Sequence, residues 1–115
     1  MFRQLTAEGH TVLDVAYTLA PAADWQQMLH EVKQSIAWGR HHAQRYGFNA
    51  NEIVLMGGSA GAHLALLAAY TANQPQLAPP SLRQTDLSVT AVISYYGITD
   101  LLTGVTYAAT VEGIE

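Results

Sequence analysis

Residues 52–67 read EIVLMGGSAGAHLALL: a short apolar run, then Gly-x-Ser-x-Gly, then an alanine- and leucine-rich segment with high helix propensity. This order predicts a strand, a sharp turn at Ser59 and a helix. A serine at the tip of such a turn lies in strained backbone. The residues two before and two after it must be small so that strand and helix can approach closely, and Gly57 and Gly61 meet this requirement. The turn would bring the Ser59 hydroxyl and the backbone N–H of Ala60 to the carboxyl edge of the sheet.

The chemistry predicted for this turn is nucleophilic catalysis. Ser59 is the predicted nucleophile and the Ala60 N–H is the predicted half of an oxyanion hole, while Gly57, Gly58 and Gly61 shape the turn. The same sequence also occurs in ordinary glycine-rich turns. The interpretation therefore depends on a strand before the serine and a helix after it.

The composition limits the classes of function. The 115 residues make one domain at most, and 50% of them are hydrophobic, which is enough for a core. Only 12% are charged and the net charge is −4, so no basic surface for nucleic acid is predicted. The chain has no cysteine, which removes disulfides, thiol nucleophiles and thiolate metal sites. No apolar run approaches the ~20 residues that a membrane span needs.

The order of elements predicts an α/β fold. Parallel strands are expected at about 11–17, 52–57 and 88–96, with helices at about 24–46 and 60–73. Asp24 should cap the first of these helices, with Gln27 completing a capping box. Residues 1–8 are typical of the end of an earlier helix, residues 74–86 contain three prolines and predict a surface loop, and residues 103–115 show no firm pattern. The apolar stripe predicted to face the core from the helix at 24–46 comprises Trp25, Met28, Leu29, Val32, Ile36 and Ala43.

Three segments resemble the α/β-hydrolase superfamily in their order and spacing. They are residues 17–21 (YTLAP), 57–65 (GGSAGAHLA) and 94–101 (SYYGITDL). The chain is most similar to the hormone-sensitive-lipase-like and feruloyl- or acetyl-esterase-like carboxylesterases, over about residues 1–102. The resemblance implies an ester hydrolase that forms an acyl-enzyme on Ser59 and acts on a small-molecule ester. It implies no cofactor and no metal.

The resemblance also implies that the chain is the central fragment, residues 1–115, of a single α/β-hydrolase domain. Its strands would be the fourth, fifth and sixth of eight, and the third strand of that fold lies between the fourth and the fifth. Residues 12–17 and 53–57 would then flank a slot of about 10 Å, twice the usual strand spacing. The family orders its triad as serine, acid and histidine, yet no histidine follows residue 63 and the sequence has no His-Gly-Gly run. The acid and histidine region and the N-terminal strands would therefore be missing, and the fragment by itself would be inactive.

The remaining polar residues have less support as catalytic groups. Asp100 follows the sixth strand of the resemblance, one strand before the usual acid. His63 lies one helical turn beyond the serine, which favours a packing or supporting role over that of a base. His30, His41 and His42 are expected on a solvated helix face rather than around a metal.

Two alternatives to the esterase remain open. One is an arylformamidase or serine peptidase of the same superfamily, and the other is a non-catalytic binding module. The sequence does not indicate the oligomeric state or the cellular compartment.

Overall fold

The computed structural model describes residues 1–104, and the helices and strands follow the predicted order. They are α1 (Phe2–Ala7), α2 (Trp25–Tyr46), β1 (Val54–Gly58), α3 (Ala60–Tyr70) and β2 (Ala91–Tyr95), with short 3-10 helices at Pro75–Leu77 and Pro80–Leu82. Residues 105–115, where the sequence shows no firm pattern, lie outside the described residues.

The sheet contains β1 and β2, which pair in parallel. The paired residues run from Val54 opposite Ala91 to Gly58 opposite Tyr95. Residues 59–90 connect the two strands and include α3, as a parallel pair requires a crossover. The α/β class is confirmed for these elements. Both strands end at the same edge of the sheet, so Ser59 and Tyr96 are the first residues beyond it.

The core lies where α2 and α3 pack on the sheet. Leu29, Ile36 and Ala68 are buried at its centre. Partly buried apolar residues from both helices, β1 and the loop segments surround them: Val32, Ile53, Leu55, Leu67, Leu77 and Val89. The predicted core stripe of α2 is correct at Leu29, Ile36 and Ala43 and wrong at Trp25, which is 53% exposed at the first turn.

The ends of α2 lie close to those predicted because capping residues fix them. The Asp24 carboxylate accepts a hydrogen bond from the Gln27 N–H at 2.8 Å, and Gly47 stops the helix with a left-handed φ of 74°. The reciprocal half of the predicted capping box does not form. The Gln27 side-chain amide instead donates to Glu31 Oε1 at 3.2 Å.

The prediction of a strand at 11–17 is wrong, because residues 11–19 have no regular structure. A strand exists only where a neighbour accepts and donates its backbone hydrogen bonds, and neither β1 nor β2 pairs with this segment. A groove of about 670 Å³ lies between residues 12–15 and β1, lined by Val12 and Val15 on one side and Leu55 on the other. It lies where the resemblance implied a slot between residues 12–17 and 53–57.

The other bounds are shorter than predicted. β1 covers 54–58 rather than 52–57, β2 covers 91–95 rather than 88–96, and α3 ends at Tyr70 rather than near residue 73. The segment 74–86 is not wholly a surface loop. It contains the two 3-10 helices, and Ala78 within it is buried.

Two basic side chains fasten α2 to the rest of the fold. Lys33 is fully buried, and its ammonium donates to the Thr71 carbonyl at the C-terminal end of α3, at 2.9 Å. Arg40 donates to the backbone carbonyls of Ala50, Asp86 and Ser88, which lie in the segments leading into β1 and β2. These contacts hold the two strands against one helix.

Candidate active site

The turn at Ser59 joins the end of β1 to the start of α3. Ser59 has φ 52° and ψ −119°, a conformation that non-glycine residues rarely adopt. Its N–H donates to the Tyr95 carbonyl of β2 at 3.0 Å, and its carbonyl accepts the His63 N–H of α3 at 3.0 Å. The backbone of the serine is therefore held by both neighbouring elements. Its side chain is exposed at the sheet edge.

Close packing at the turn depends on Gly57. A Cβ added there would lie 2.6 Å from the Ala62 nitrogen and closer still to the Gly61 carbonyl group. All of these are backbone atoms, so no side-chain rotation could relieve the clash. A Cβ on Gly61, in contrast, would meet nothing within 4 Å among residues 1–104. Within residues 1–104, the backbone clash that requires a glycine therefore occurs at Gly57.

Ala60 is the first residue of α3, where a backbone N–H has no acceptor within its own helix. The positive end of the helix dipole lies at the same place and favours negative charge. Ser59 and Ala60 are adjacent, so a hydroxyl and a free N–H occur together at the exposed edge.

His63 does not pair with the serine hydroxyl. Its Nδ1 lies 2.7 Å from the Ile98 carbonyl, and because a carbonyl can only accept, Nδ1 carries the proton in this hydrogen bond. The ring thereby connects the segment after β2 to α3. Within residues 1–104 the Ser59 hydroxyl has no side-chain hydrogen-bond partner.

Asp100 begins a helical turn at residues 101–104. Its carboxylate accepts hydrogen bonds from the Thr103 N–H, at 3.0 Å, and from the Thr103 hydroxyl. These hydrogen bonds hold the pKa of Asp100 below its ordinary value. The residue serves as a helix N-cap, which explains an aspartate at this position without a catalytic role.

Tyr96 is a residue of the site that the sequence did not single out. It has φ 45° and is 82% exposed, and its phenol end covers Gly58: a Cβ on Gly58 would lie 3.2 Å from the Tyr96 hydroxyl. The next residue, Gly97, packs so closely that a Cβ there would lie 2.9 Å from the Ala62 Cβ. In the sequence Tyr96 was the last residue of the strand predicted at 88–96 and part of the segment 94–101 that resembles the superfamily, but no role was assigned to it.

His30, His41 and His42 lie on α2, and His10 follows α1. His42 stacks on Trp38 with ring centroids 4.2 Å apart and donates from Nδ1 to the Trp38 carbonyl, while His41 is exposed. Among residues 1–104, no group of three His, Cys, Asp or Glu side chains could hold a metal ion. No helix in this part of the chain is both long and apolar enough to cross a membrane.

A model of the BD-FAE family matches residues 1–112. The chain belongs to the BD-FAE family. This assignment confirms the resemblance to the carboxylesterase branch of the α/β-hydrolases. Around Ser59 the strand, the turn and the helix follow one another in the predicted order.

Curated proteins of Mycobacterium tuberculosis (strain ATCC 25618 / H37Rv) are similar to this BD-FAE chain. Esterase LipQ is 41% identical over 93 residues, Esterase LipC 39% over 94 residues, and Probable carboxylic ester hydrolase LipM 33% over 100 residues. The matches cover 81%, 82% and 87% of this chain. The same matches cover 22%, 23% and 23% of the relatives, so the chain spans less than a quarter of their length.

Proposed function

We propose that the full-length protein is a carboxylic-ester hydrolase that forms an acyl-enzyme on Ser59. The observation that carries this proposal is the exposed serine in a strained turn, with φ 52°, between a parallel strand and a helix. The names of the relatives, which are esterases, support ester chemistry over other reactions of a nucleophilic serine. The substrate class is a small-molecule ester.

In the proposed reaction, the Ser59 hydroxyl oxygen attacks the ester carbonyl while a histidine from outside these residues takes the proton. The Ala60 N–H donates to the oxyanion of the tetrahedral intermediate, together with a second donor from outside the chain. The carbon–oxygen bond to the alcohol then breaks, and the alcohol leaves with the proton from the histidine. Water attacks the acyl-enzyme by the same route, releasing the acid and the free serine.

We further propose that residues 1–115 are the central part of the catalytic domain, and that a strand from elsewhere in that domain fills the groove between residues 12–17 and β1. Two features support this: the groove exposes one edge of β1, and the chain spans less than a quarter of its relatives. An unpaired strand edge in a core leaves backbone groups without partners, which is unfavourable. By itself the chain should react very slowly, because removing the base from a serine protease such as subtilisin lowers turnover by about 10⁶-fold.

The test compares fluorophosphonate labelling of three proteins: the full-length gene product, its Ser59→Ala variant and the isolated 115-residue chain. We expect rapid stoichiometric labelling of the first and none at this site in the second. The third should label at least about 10³-fold more slowly than the first, because it lacks a base. Ser81→Ala is the matched control, since Ser81 is an exposed serine in a 3-10 helix.

The substrate class is tested with the same full-length protein. Hydrolysis of 4-nitrophenyl acetate should exceed that of a formanilide and of a peptide anilide, and Ser59→Ala should abolish it. Faster turnover of the formanilide or the anilide would instead support the arylformamidase or peptidase. Full ester turnover in the Ser59→Ala variant would contradict the proposed nucleophile.

A further inference from the structure

Backbone strain within residues 1–104 is confined to two neighbouring places. Apart from glycines, the residues with positive φ in this part of the chain are Ser59 and Tyr96. They directly follow Gly58 and Tyr95, which are paired in the sheet, so the two strained residues emerge side by side. The Ser59 N–H donates to the Tyr95 carbonyl and joins the two turns. Strain of this kind persists only where surrounding structure enforces it, and it is concentrated at functional sites.

Contacts with α3 enforce the turn at Tyr96. Gly97 packs against Ala62 so closely that a Cβ would lie 2.9 Å from the Ala62 Cβ and 2.6 Å from the Ser94 hydroxyl oxygen. One residue later, the Ile98 carbonyl accepts the hydrogen bond from His63 at 2.7 Å. The two residues after the turn are therefore fixed to the helix that begins at the serine.

The ring of Tyr96 is not placed there by burial. The residue is 82% exposed, and its contact with the turn is made by the phenol end of the ring, which covers Gly58. Within residues 1–104 the ring therefore adds little to the core, since such a contribution comes from apolar area removed from water. Here a strained backbone supports a ring that faces open space beside the nucleophile.

We propose that Tyr96 contacts the substrate: its ring forms a wall of the site next to Ser59 and packs against the acyl or alcohol group of the ester. A tyrosine ring presents a mostly apolar surface, so the contact is apolar. This inference rests on the proposed ester hydrolysis at Ser59. Tyr96 contributes to substrate selection and takes no part in proton transfer.

The experiment uses the full-length protein and its Tyr96→Gly and Tyr96→Phe variants. Glycine adopts positive φ without strain, so Tyr96→Gly removes the ring while relieving the backbone. The readout is the set of kcat/KM ratios among 4-nitrophenyl acetate, 4-nitrophenyl butyrate and phenyl acetate, which vary the acyl and the alcohol groups. We expect at least one ratio to change about 5-fold or more in Tyr96→Gly, through KM more than kcat, with Tm unchanged or raised. Tyr96→Phe keeps the ring and should stay within about 2-fold of the wild type.

Tyr70→Ala is the matched control, because Tyr70 is 77% exposed at the other end of α3. It should leave every ratio unchanged. Unchanged ratios in Tyr96→Gly would overturn the inference, as would an equal change in Tyr96→Phe. If Tyr96→Gly has no measurable turnover, fluorophosphonate labelling of Ser59 decides: a wild-type labelling rate supports substrate contact, whereas lost labelling with a lowered Tm shows a structural role.

Failure of this inference is distinguishable from failure of the proposed function. If Ser59→Ala retains ester turnover, the proposed function fails whatever the Tyr96 variants do. If Ser59→Ala is inactive and Tyr96→Gly keeps all the ratios, the ester hydrolase stands and Tyr96 is not a wall of its site.

Discussion

Replacing Gly57 by alanine should force β1 and α3 apart and move Ser59. The new Cβ would lie 2.6 Å from the Ala62 nitrogen, whereas ordinary contact begins near 3.4 Å, so the helix start must shift by about 1 Å. Overpacking of cores usually destabilises proteins by about 1–3 kcal/mol. We expect about 3 kcal/mol here, at the upper end, because the opposing atoms are backbone. A displacement of about 1 Å at the serine should also reduce turnover by about 10²-fold.

Gly61→Ala is the control, since it adds the same methyl group two residues beyond the serine, where none of the described residues comes within 4 Å of the new Cβ. Alanine has the higher helix propensity, so this variant should be unchanged or stabilised by up to about 1 kcal/mol. Urea denaturation of the full-length protein gives the free energy of unfolding, and fluorophosphonate labelling gives the reactivity of Ser59. Equal destabilisation by the two variants, or a Gly57→Ala protein of wild-type stability and reactivity, would refute the packing argument.

Three further predictions concern the polar contacts of α2 and are measured by denaturation. Burial lowers the pKa of Lys33, so the unfolded state binds more protons at alkaline pH and the free energy of unfolding should rise as the pH approaches 10.5. Lys33→Met should abolish that rise. It should change the free energy of unfolding at pH 7 by less than about 1.5 kcal/mol, because the variant loses one hydrogen bond but keeps a buried aliphatic side chain. If the rise persists in the variant, another group causes it. Arg40→Lys, which cannot reach three carbonyls with one ammonium, should lower stability by about 1–3 kcal/mol, and an unchanged urea midpoint would show that these contacts contribute nothing. Hydrogen bonds from the backbone N–H of Thr18, from Gln27 and from the Thr18 hydroxyl lower the pKa of Glu31 from its ordinary 4.5. The free energy of unfolding should therefore fall as the pH drops below 4.5 and through the lowered pKa of the folded protein. In Glu31→Gln this loss of stability in acid should be smaller.

The parts of the fold that could be predicted are those encoded by nearby residues. Asp24 and Gly47 fix the ends of α2 through contacts within a few residues, and the glycines around Ser59 indicate the turn between β1 and α3. Helix capping and turn conformation depend on the backbone preferences of single residues, so no tertiary information is needed. The prediction of a capping box was only half correct, because the Gln27 side chain donates to Glu31, one helical turn further along the helix.

The candidate site was only partly predictable, because some of its contacts join residues that are far apart in the sequence. The pattern indicated Ser59 and its neighbours, yet it gave equal weight to Gly57 and Gly61, and the structure shows that their packing differs. Tyr96 went unnoticed, because its strain comes from contacts of the following residues with α3 rather than from its own sequence. His63 bonds to a carbonyl 35 residues away, a contact that spacing along one helix does not reveal.

The sequence by itself determined the local structure of this protein: the helix ends, the turn at the serine and the order of strand and helix. The tertiary structure alone decided that residues 11–17 lack a strand partner, that Lys33 is buried on a carbonyl 38 residues away, and that Ser59 and Tyr96 emerge side by side. Capping and turn preferences act through covalently close atoms. Strand pairing and burial depend on which distant segments meet, and that is settled only when the elements pack together.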